Sequence, residues 1–288
     1  MKGAFFVSVC EVLRGFHPIT YHAYMRILLL GHRDIASNIA LSLLISAMPQ
    51  HRFSILLSGD VASPTGTPEQ LTALMRFEDA LGDVLSTNME ARRHCLLSYP
   101  ELAVRVCHEL QELVRPNSTE GLAQISDWQP DLIIAVRYRR ILQDAAIAIP
   151  KFGVLNLHSG LLPEYKGVMA TFWAMLNGEP IIGSTAHWIV DGTIDTGPVI
   201  GRAEVVAEPG RSYLANVLAL YPSGCRLLVD TVNRIERGET VVGTRQEEAG
   251  RYYSVPAAVD VARFHKAGLR FFDGPELQEF LRDLKKSL

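Results

Sequence analysis

RILLLGHRDIASNIALSLLISAMPQHRFSILL, Arg26 to Leu57, carries the pattern that decides the fold. Arg26-Ile27-Leu28-Leu29-Leu30 ends in a continuous apolar run, which predicts a parallel strand covered on both faces. It leads into Gly31-His32-Arg33-Asp34 and a helical pattern with Ile35, Ile39 and Leu43 on one face, stopped by Pro49. Arg52 to Leu57 reads as a second buried strand. Strand, crossover helix and strand in that order open a doubly wound sheet. The expected class is therefore α/β: a Rossmann-like open, mostly parallel twisted sheet with helices on both faces, plus a short C-terminal helical extension.

The first turn bears on one ligand class directly. A dinucleotide fingerprint needs glycines at the turn, at the pyrophosphate contact and at the helix–strand contact. GHRDIAS supplies only Gly31, so a nicotinamide-type site is not expected.

Thr67-Pro68-Glu69-Gln70 predicts a helix start, followed by Leu71, Leu74, Phe77 and Leu81 at helical spacing. Residues 82 to 100 give no clear pattern. A helix is expected from Glu101 to Glu112, a short strand at Leu113-Val114, and a cap for the next helix from Asn117 with Glu120. Pro130 to Val136 reads as another buried strand, running into the basic segment Arg137-Tyr138-Arg139-Arg140-Ile141-Leu142. Ligands of open α/β sheets sit at the carboxyl ends of strands, so that segment is placed to meet one. A solvated basic turn is the plainer reading of any single arginine there.

Composition bounds the rest. The 288 residues hold 48% apolar and 20% charged side chains with a net charge of −3, so no global basic field points to nucleic acid or an anionic membrane. Cys10, Cys95, Cys107 and Cys225 lack metal-ligand spacing and read as reduced thiols of a cytoplasmic protein. No apolar run approaches the ~20 residues needed to span a bilayer. Residues 1–24 are expected to be an N-terminal extension, 25–238 the catalytic domain and 239–288 a C-terminal extension.

The chemistry concentrates in FGVLNLHSGLLPEYKG and GSTAHWIVDGTIDTGPV, between Phe152 and Val199. Asn156 and His158 are two apart after an apolar run, so on a strand their side chains leave on the same face. An amide, an imidazole and an acidic residue, Asp195, converging at strand ends make an acyl-transfer site: an oxyanion donor, a proton handler and an orienting carboxylate. His187 and Ser184 are expected as strand residues flanking it, and Phe172 and Trp173 as core.

These residues resemble the folate-dependent formyltransferase family, which includes glycinamide ribonucleotide transformylase, methionyl-tRNA formyltransferase and amino-sugar N-formyltransferases. Asn156 and His158, Leu161-Leu162-Pro163, Lys166-Gly167 and Asp195-Thr196-Gly197 fall on the family pattern. Two departures stand out: Ser159-Gly160 replaces the common Pro-Ser, and the stretch from His187 to Asp195 is one residue longer. The second leaves Asp191 as an alternative partner for His158.

The resemblance implies 10-formyltetrahydrofolate as co-substrate, catalysis by Asn156, His158 and Asp195, and no metal. It also implies a pterin lying against Arg140, Ile141, Leu142, Val190 and Asp191, with Ser159, Gly160 and His187 near the acceptor. A complete tRNA-binding barrel is longer than the C-terminal stretch, where residues 269 to 288 hold four basic and four acidic side chains. A small-molecule amine or hydroxylamine is therefore the expected acceptor, with no nucleic acid or membrane partner. The alternatives are a formyltetrahydrofolate hydrolase, a methionyl-tRNA formyltransferase-like enzyme and a folate-binding protein that has lost catalysis. The stripe Leu277, Phe280, Leu281, Leu284 and Leu288 is expected to pack on the core or to form a homodimer face.

Overall fold

A computed structural model of the protein describes residues 24–59, 65–84, 97–106, 108–246 and 250–287. The expected N-terminal extension lies outside the described residues except for Tyr24, as do 85–96 within the unassigned stretch and Cys10, Cys95 and Cys107.

The strands, in chain order, are β1 (Arg26–Gly31), β2 (Arg52–Leu57), β3 (Gln111–Glu112), β4 (Leu132–Val136), β5 (Val154–His158), β6 (Tyr165–Gly167), β7 (Ile181–Ile189), β8 (Val199–Val206) and β9 (Arg251–Tyr253). Seven of them form one sheet in the order β3-β2-β1-β4-β5-β7-β8. The first five are parallel, while β7 runs antiparallel to β5 and β8 antiparallel to β7. The doubly wound class is borne out. β6 and β9 pair separately.

The strand sequences explain the layering. Ile27 and Leu29 enter one apolar cluster, and Leu28 and Leu30 the other, so β1 is buried on both faces. The first cluster is roofed by α1 (Ile35–Ala47), α2 (Glu69–Val84), α3 (Tyr99–Val106), α6 (Ala170–Leu176), α7 (Tyr213–Leu218) and α8 (Tyr221–Glu236). The second lies under α4 (Thr119–Trp128) and α5 (Asp144–Ile147).

Helix α1 was expected to bury one stripe but is buried all round from Ile35 to Ile45. Its polar residues have partners: Asn38 Nδ2 and Ser42 Oγ donate to the Leu97 carbonyl, at 2.9 and 3.2 Å. Three further expectations need correction. The helix expected from Glu101 to Glu112 is α3, which begins at Tyr99 and ends at Val106. Beyond it the chain turns back to the sheet, where His108 meets Ser54 Oγ (2.9 Å). The strand expected at Leu113-Val114 is β3, although the Leu113 N–H still donates to Leu57 O (2.7 Å). The cap of α4 is Ser118, which accepts from the Gly121 N–H, and Asn117 is used elsewhere.

The C-terminal segment carries α9 (Ala258–Lys266) and α10 (Gly274–Ser287). Phe264 and Phe271 stack on Phe172 of α6 with centroids 4.6 and 5.9 Å apart, and Leu277 and Phe280 are buried in the same cluster. Among the described residues, no helix is long and apolar enough to cross a membrane.

Candidate active site

The carboxyl ends of β1, β4 and β5 lie side by side, and the strand order reverses beside β1. That is where open α/β sheets place ligands. The residues there form two groups with different chemistry.

The first group is an internal ion network. Asp34 caps α1 by accepting from the Ser37 N–H (2.7 Å) and is fully buried. Arg137, held at φ 57, donates to it through Nε (2.9 Å) and reaches Glu78 through Nη2 (3.2 Å); Arg139 adds a third contact at 3.2 Å. Burial alone would push the Asp34 carboxyl up, but Arg137 and Arg139 hold it below the usual carboxylate range. Glu78, buried beside the same Arg137, is pushed up by its burial. The basic segment after β4 is therefore largely committed inward. Arg140 too donates to the Ser58 carbonyl, at 3.1 Å.

The second group lies on β5 and β7. Antiparallel pairing sets Asn156 opposite His187 and His158 opposite Thr185, so four polar side chains share one face of the ribbon. Asn156 and His158 lie on one face as expected for i and i+2. A register shift between Ala186 and His187 marks a β-bulge beside the group. The turn after β7 folds back until Gly197 touches the strand. A Cβ on Gly197 would lie 1.7 Å from the Trp188 carbonyl oxygen, so glycine is required there by space alone.

That turn delivers Asp195 at φ 55. Its Oδ2 lies 3.4 Å from His158 Nδ1 and accepts from the Gly167 N–H of β6 at 2.8 Å; its Oδ1 lies 3.5 Å from His187 Nε2. Asp191 instead accepts from the Thr193 N–H (2.8 Å) and closes a local turn, so the carboxylate beside His158 is Asp195. Burial would raise the Asp195 carboxyl, but His158, then His187 and the Gly167 N–H outweigh it and hold it at about 2.

The hydrogen-bond roles follow from the neighbours. His158 Nε2 is 2.7 Å from the Tyr165 carbonyl, which can only accept, so Nε2 carries a proton and Nδ1 faces the carboxylate. His187 Nδ1 is 3.0 Å from the Trp188 carbonyl, which leaves Nε2 to accept from Asn156 Nδ2 at 2.9 Å. One N–H of the Asn156 amide is thus spent on His187, and the other remains to meet a developing negative charge. His187 is 2% exposed and lies behind Asn156 and Asp195.

The loop after β5 is packed rather than open. The carbonyls of Ser159 and Gly160 accept from Thr171 Oγ1 (3.0 Å) and Thr185 Oγ1 (2.7 Å). A Cβ on Gly160 would lie 2.4 Å from Ala170 Cβ and 2.7 Å from His158 Nε2, which accounts for glycine in the Ser-Gly departure. Ser184 faces the other way, against Gly224 of α8.

The segments expected to receive a pterin do adjoin. A Cβ on Gly192 would come within 2.6 Å of Gln143 Oε1, so the two segments meet at Gln143 and Gly192. Ile141 and Val190 are 48% and 54% exposed there, Leu142 is buried and Asp191 is exposed. Asn117 ties this wall together: Nδ2 donates to the Ile141 carbonyl and Oδ1 accepts from the Gln143 N–H, both at 2.8 Å. Sequence reasoning missed Asn117, the bridging place of His187, and the backbone groups of Tyr165 and Gly167. Only the Lys166-Gly167 and Asp195-Thr196-Gly197 spacing hinted at the last.

Residues 93–215 match the formyl transferase family. The resemblance read from Asn156, His158 and the Asp195-Thr196-Gly197 turn is borne out. The methionyl-tRNA formyltransferase of Synechococcus sp. (strain JA-3-3Ab) is 36% identical over 120 residues, covering 42% of this chain and 37% of that one. That of Thermodesulfovibrio yellowstonii is 34% identical over 183 residues, covering 60% and 58%. The chain thus spans about a third to three-fifths of these relatives. Among solved structures, a 4-N formyltransferase from Francisella tularensis superposes with a TM-score of 0.55 at 14% identity, covering 88% and 94%. Glycinamide ribonucleotide transformylase 1 from Symbiobacterium toebii gives 0.54 at 16%, covering 79% and 96%. These structural likenesses bear on the fold. Among the described residues, no set of three or more His, Cys, Asp or Glu side chains has the spacing to hold a metal ion.

Proposed function

We propose that the protein is an N-formyltransferase that moves the formyl group of 10-formyltetrahydrofolate to a primary amine or hydroxylamine of a small molecule. The observation that carries this reading is the Asn156–His187–Asp195–His158 constellation at the carboxyl end of β5. The acceptor nitrogen attacks the formyl carbon, a C–N bond forms and the formyl oxygen gains negative charge. Asn156 Nδ2 donates to that oxygen, a contribution of roughly 10²–10³ in rate for donors of this kind. His158 takes the proton from the acceptor nitrogen at Nδ1, the ring nitrogen left unprotonated, and the imidazolium so formed pairs with the Asp195 carboxylate. The bond from the formyl carbon to folate N10 then breaks, and N10 receives a proton. In this reading the pterin lies against the segments 140–142 and 190–192.

A small acceptor is favoured by the balance of charge near the C-terminus, where residues 269 to 288 hold four basic and four acidic side chains and Arg270 is paired with Glu276. The names of the relatives support a second reading, with aminoacylated initiator tRNA as acceptor. The test is a panel of amino sugars, amino acids, hydroxylamines and methionyl-tRNA, incubated with protein and 10-formyltetrahydrofolate while tetrahydrofolate is measured. A small amine should drive turnover. Rapid formate release with no acceptor would replace the transferase reading by a hydrolase.

A further inference from the structure

Gln246 lies beyond the family-matched region, 51 residues after Asp195. Its Nε2 donates to the Asp195 carbonyl at 2.9 Å and to the Gly197 carbonyl at 2.7 Å. One amide thus holds both ends of the Asp-Thr-Gly turn. The opposite amide orientation would set Oε1 against two carbonyl oxygens, so the network fixes which atom faces the turn.

The turn needs such a hold: Asp195 sits at φ 55, where a residue with a Cβ is strained by about 1–3 kcal/mol unless its surroundings hold it.

The segment bearing Gln246 is itself anchored to the turn. Thr244 exchanges backbone hydrogen bonds with Val199 at 2.7 and 2.8 Å, and Trp188 Nε1 donates to the Val241 carbonyl at 3.1 Å. A Cβ on Gly243 would come within 2.7 Å of the Pro198 carbonyl oxygen.

We propose that Gln246 is a positioning residue: it locks the Asp195–Gly197 turn so that the Asp195 carboxylate stays between His158 and His187. The step rests on Asp195 being the site carboxylate in the proposed function. If the turn relaxes, the Cα–Cβ bond of Asp195 swings and its carboxylate leaves both imidazoles.

The test uses full-length protein with Gln246→Ala and Gln246→Asn, and Arg245→Ala as an exposed neighbouring control. The Asp195 carboxyl is followed by carbon NMR through a pH titration, with circular dichroism to confirm folding. It should titrate at about 2 in the native protein and move toward 3.8 in both Gln246 variants. In parallel, tetrahydrofolate release is measured with hydroxylamine as the probe acceptor. Both variants should lose roughly 10–100-fold in kcat, the scale of a small misplacement at a reacting centre. Arg245→Ala should match the native protein in both measurements. An unmoved Asp195 titration in a folded Gln246 variant overturns the proposal. Should the native protein release no tetrahydrofolate with any acceptor, the formyl-transfer reading falls, and the titration still decides the role of Gln246.

Discussion

Replacing Asp195 by Asn removes one negative charge from a site where it faces two imidazoles and a backbone N–H. The carboxylate is only 10% exposed, so screening by solvent takes little from the interaction. Its carboxyl is held at about 2 against an ordinary 3.8. One unit corresponds to about 1.4 kcal/mol, so ionised Asp195 contributes on the order of 2.5 kcal/mol to folding. Because the folded value is the lower one, that contribution is complete above 3.8 and is lost as pH falls through about 2. Urea unfolding of the native protein and Asp195→Asn should therefore differ by about 2.5 kcal/mol at pH 5. The gap should shrink steadily between pH 4 and 2.5. Shared acid-sensitive groups, Asp34 among them, cancel in the comparison. A gap that stays constant from pH 5 to 2.5, or an Asn variant as stable as native at pH 5, refutes the electrostatic account of this turn.

Three further outcomes follow from the same geometry. Gly197→Ala places a methyl 1.7 Å from a backbone oxygen, so it should destabilise by about 3 kcal/mol or more in thermal unfolding and displace the Asp195 turn. Asp34→Ala leaves Arg137 and Arg139 buried without their carboxylate and should cost about 3–5 kcal/mol in urea. Since the folded Asp34 carboxyl is depressed, its contribution is present above the ordinary carboxylate range and disappears on acidification. Phe264→Ala empties the stack on Phe172 and should cost about 3–5 kcal/mol, measured by chemical unfolding, if the C-terminal segment is part of the cooperative unit.

Which parts of this protein could be read in advance follows from how far apart the interacting residues lie. β1, β2 and β4 were legible because strands covered on both faces leave continuous apolar runs, and their bounds follow Ile27–Leu30, Phe53–Leu57 and Leu132–Val136 closely. The Asn156/His158 pair was legible because strand alternation alone puts i and i+2 on one face. His187 was named as a strand residue flanking the site, but its contact with Asn156 was not legible, because it depends on antiparallel register and a bulge 31 residues downstream. Arg137 and Arg139 looked like a basic surface because nothing local shows that Asp34, more than 100 residues earlier, waits for them. The overlong helix expected to Glu112 failed for a similar reason. Local spacing there is helical, but ladder bonds to β2, Leu113 N–H to Leu57 O among them, win. Gln246 had no sequence signal at all. A lone amide in an irregular stretch becomes informative only when the turn it grips is known.

The central claim is that Asn156, oriented by His187, stabilises charge on the formyl oxygen. The most direct measurement is the single-turnover rate of formyl transfer from 10-formyltetrahydrofolate to the best amine of the panel, for native protein and Asn156→Ala. With folate affinity unchanged, the account predicts a rate loss of roughly 10²–10³. An Asn156→Ala variant that transfers formyl at the native rate contradicts it.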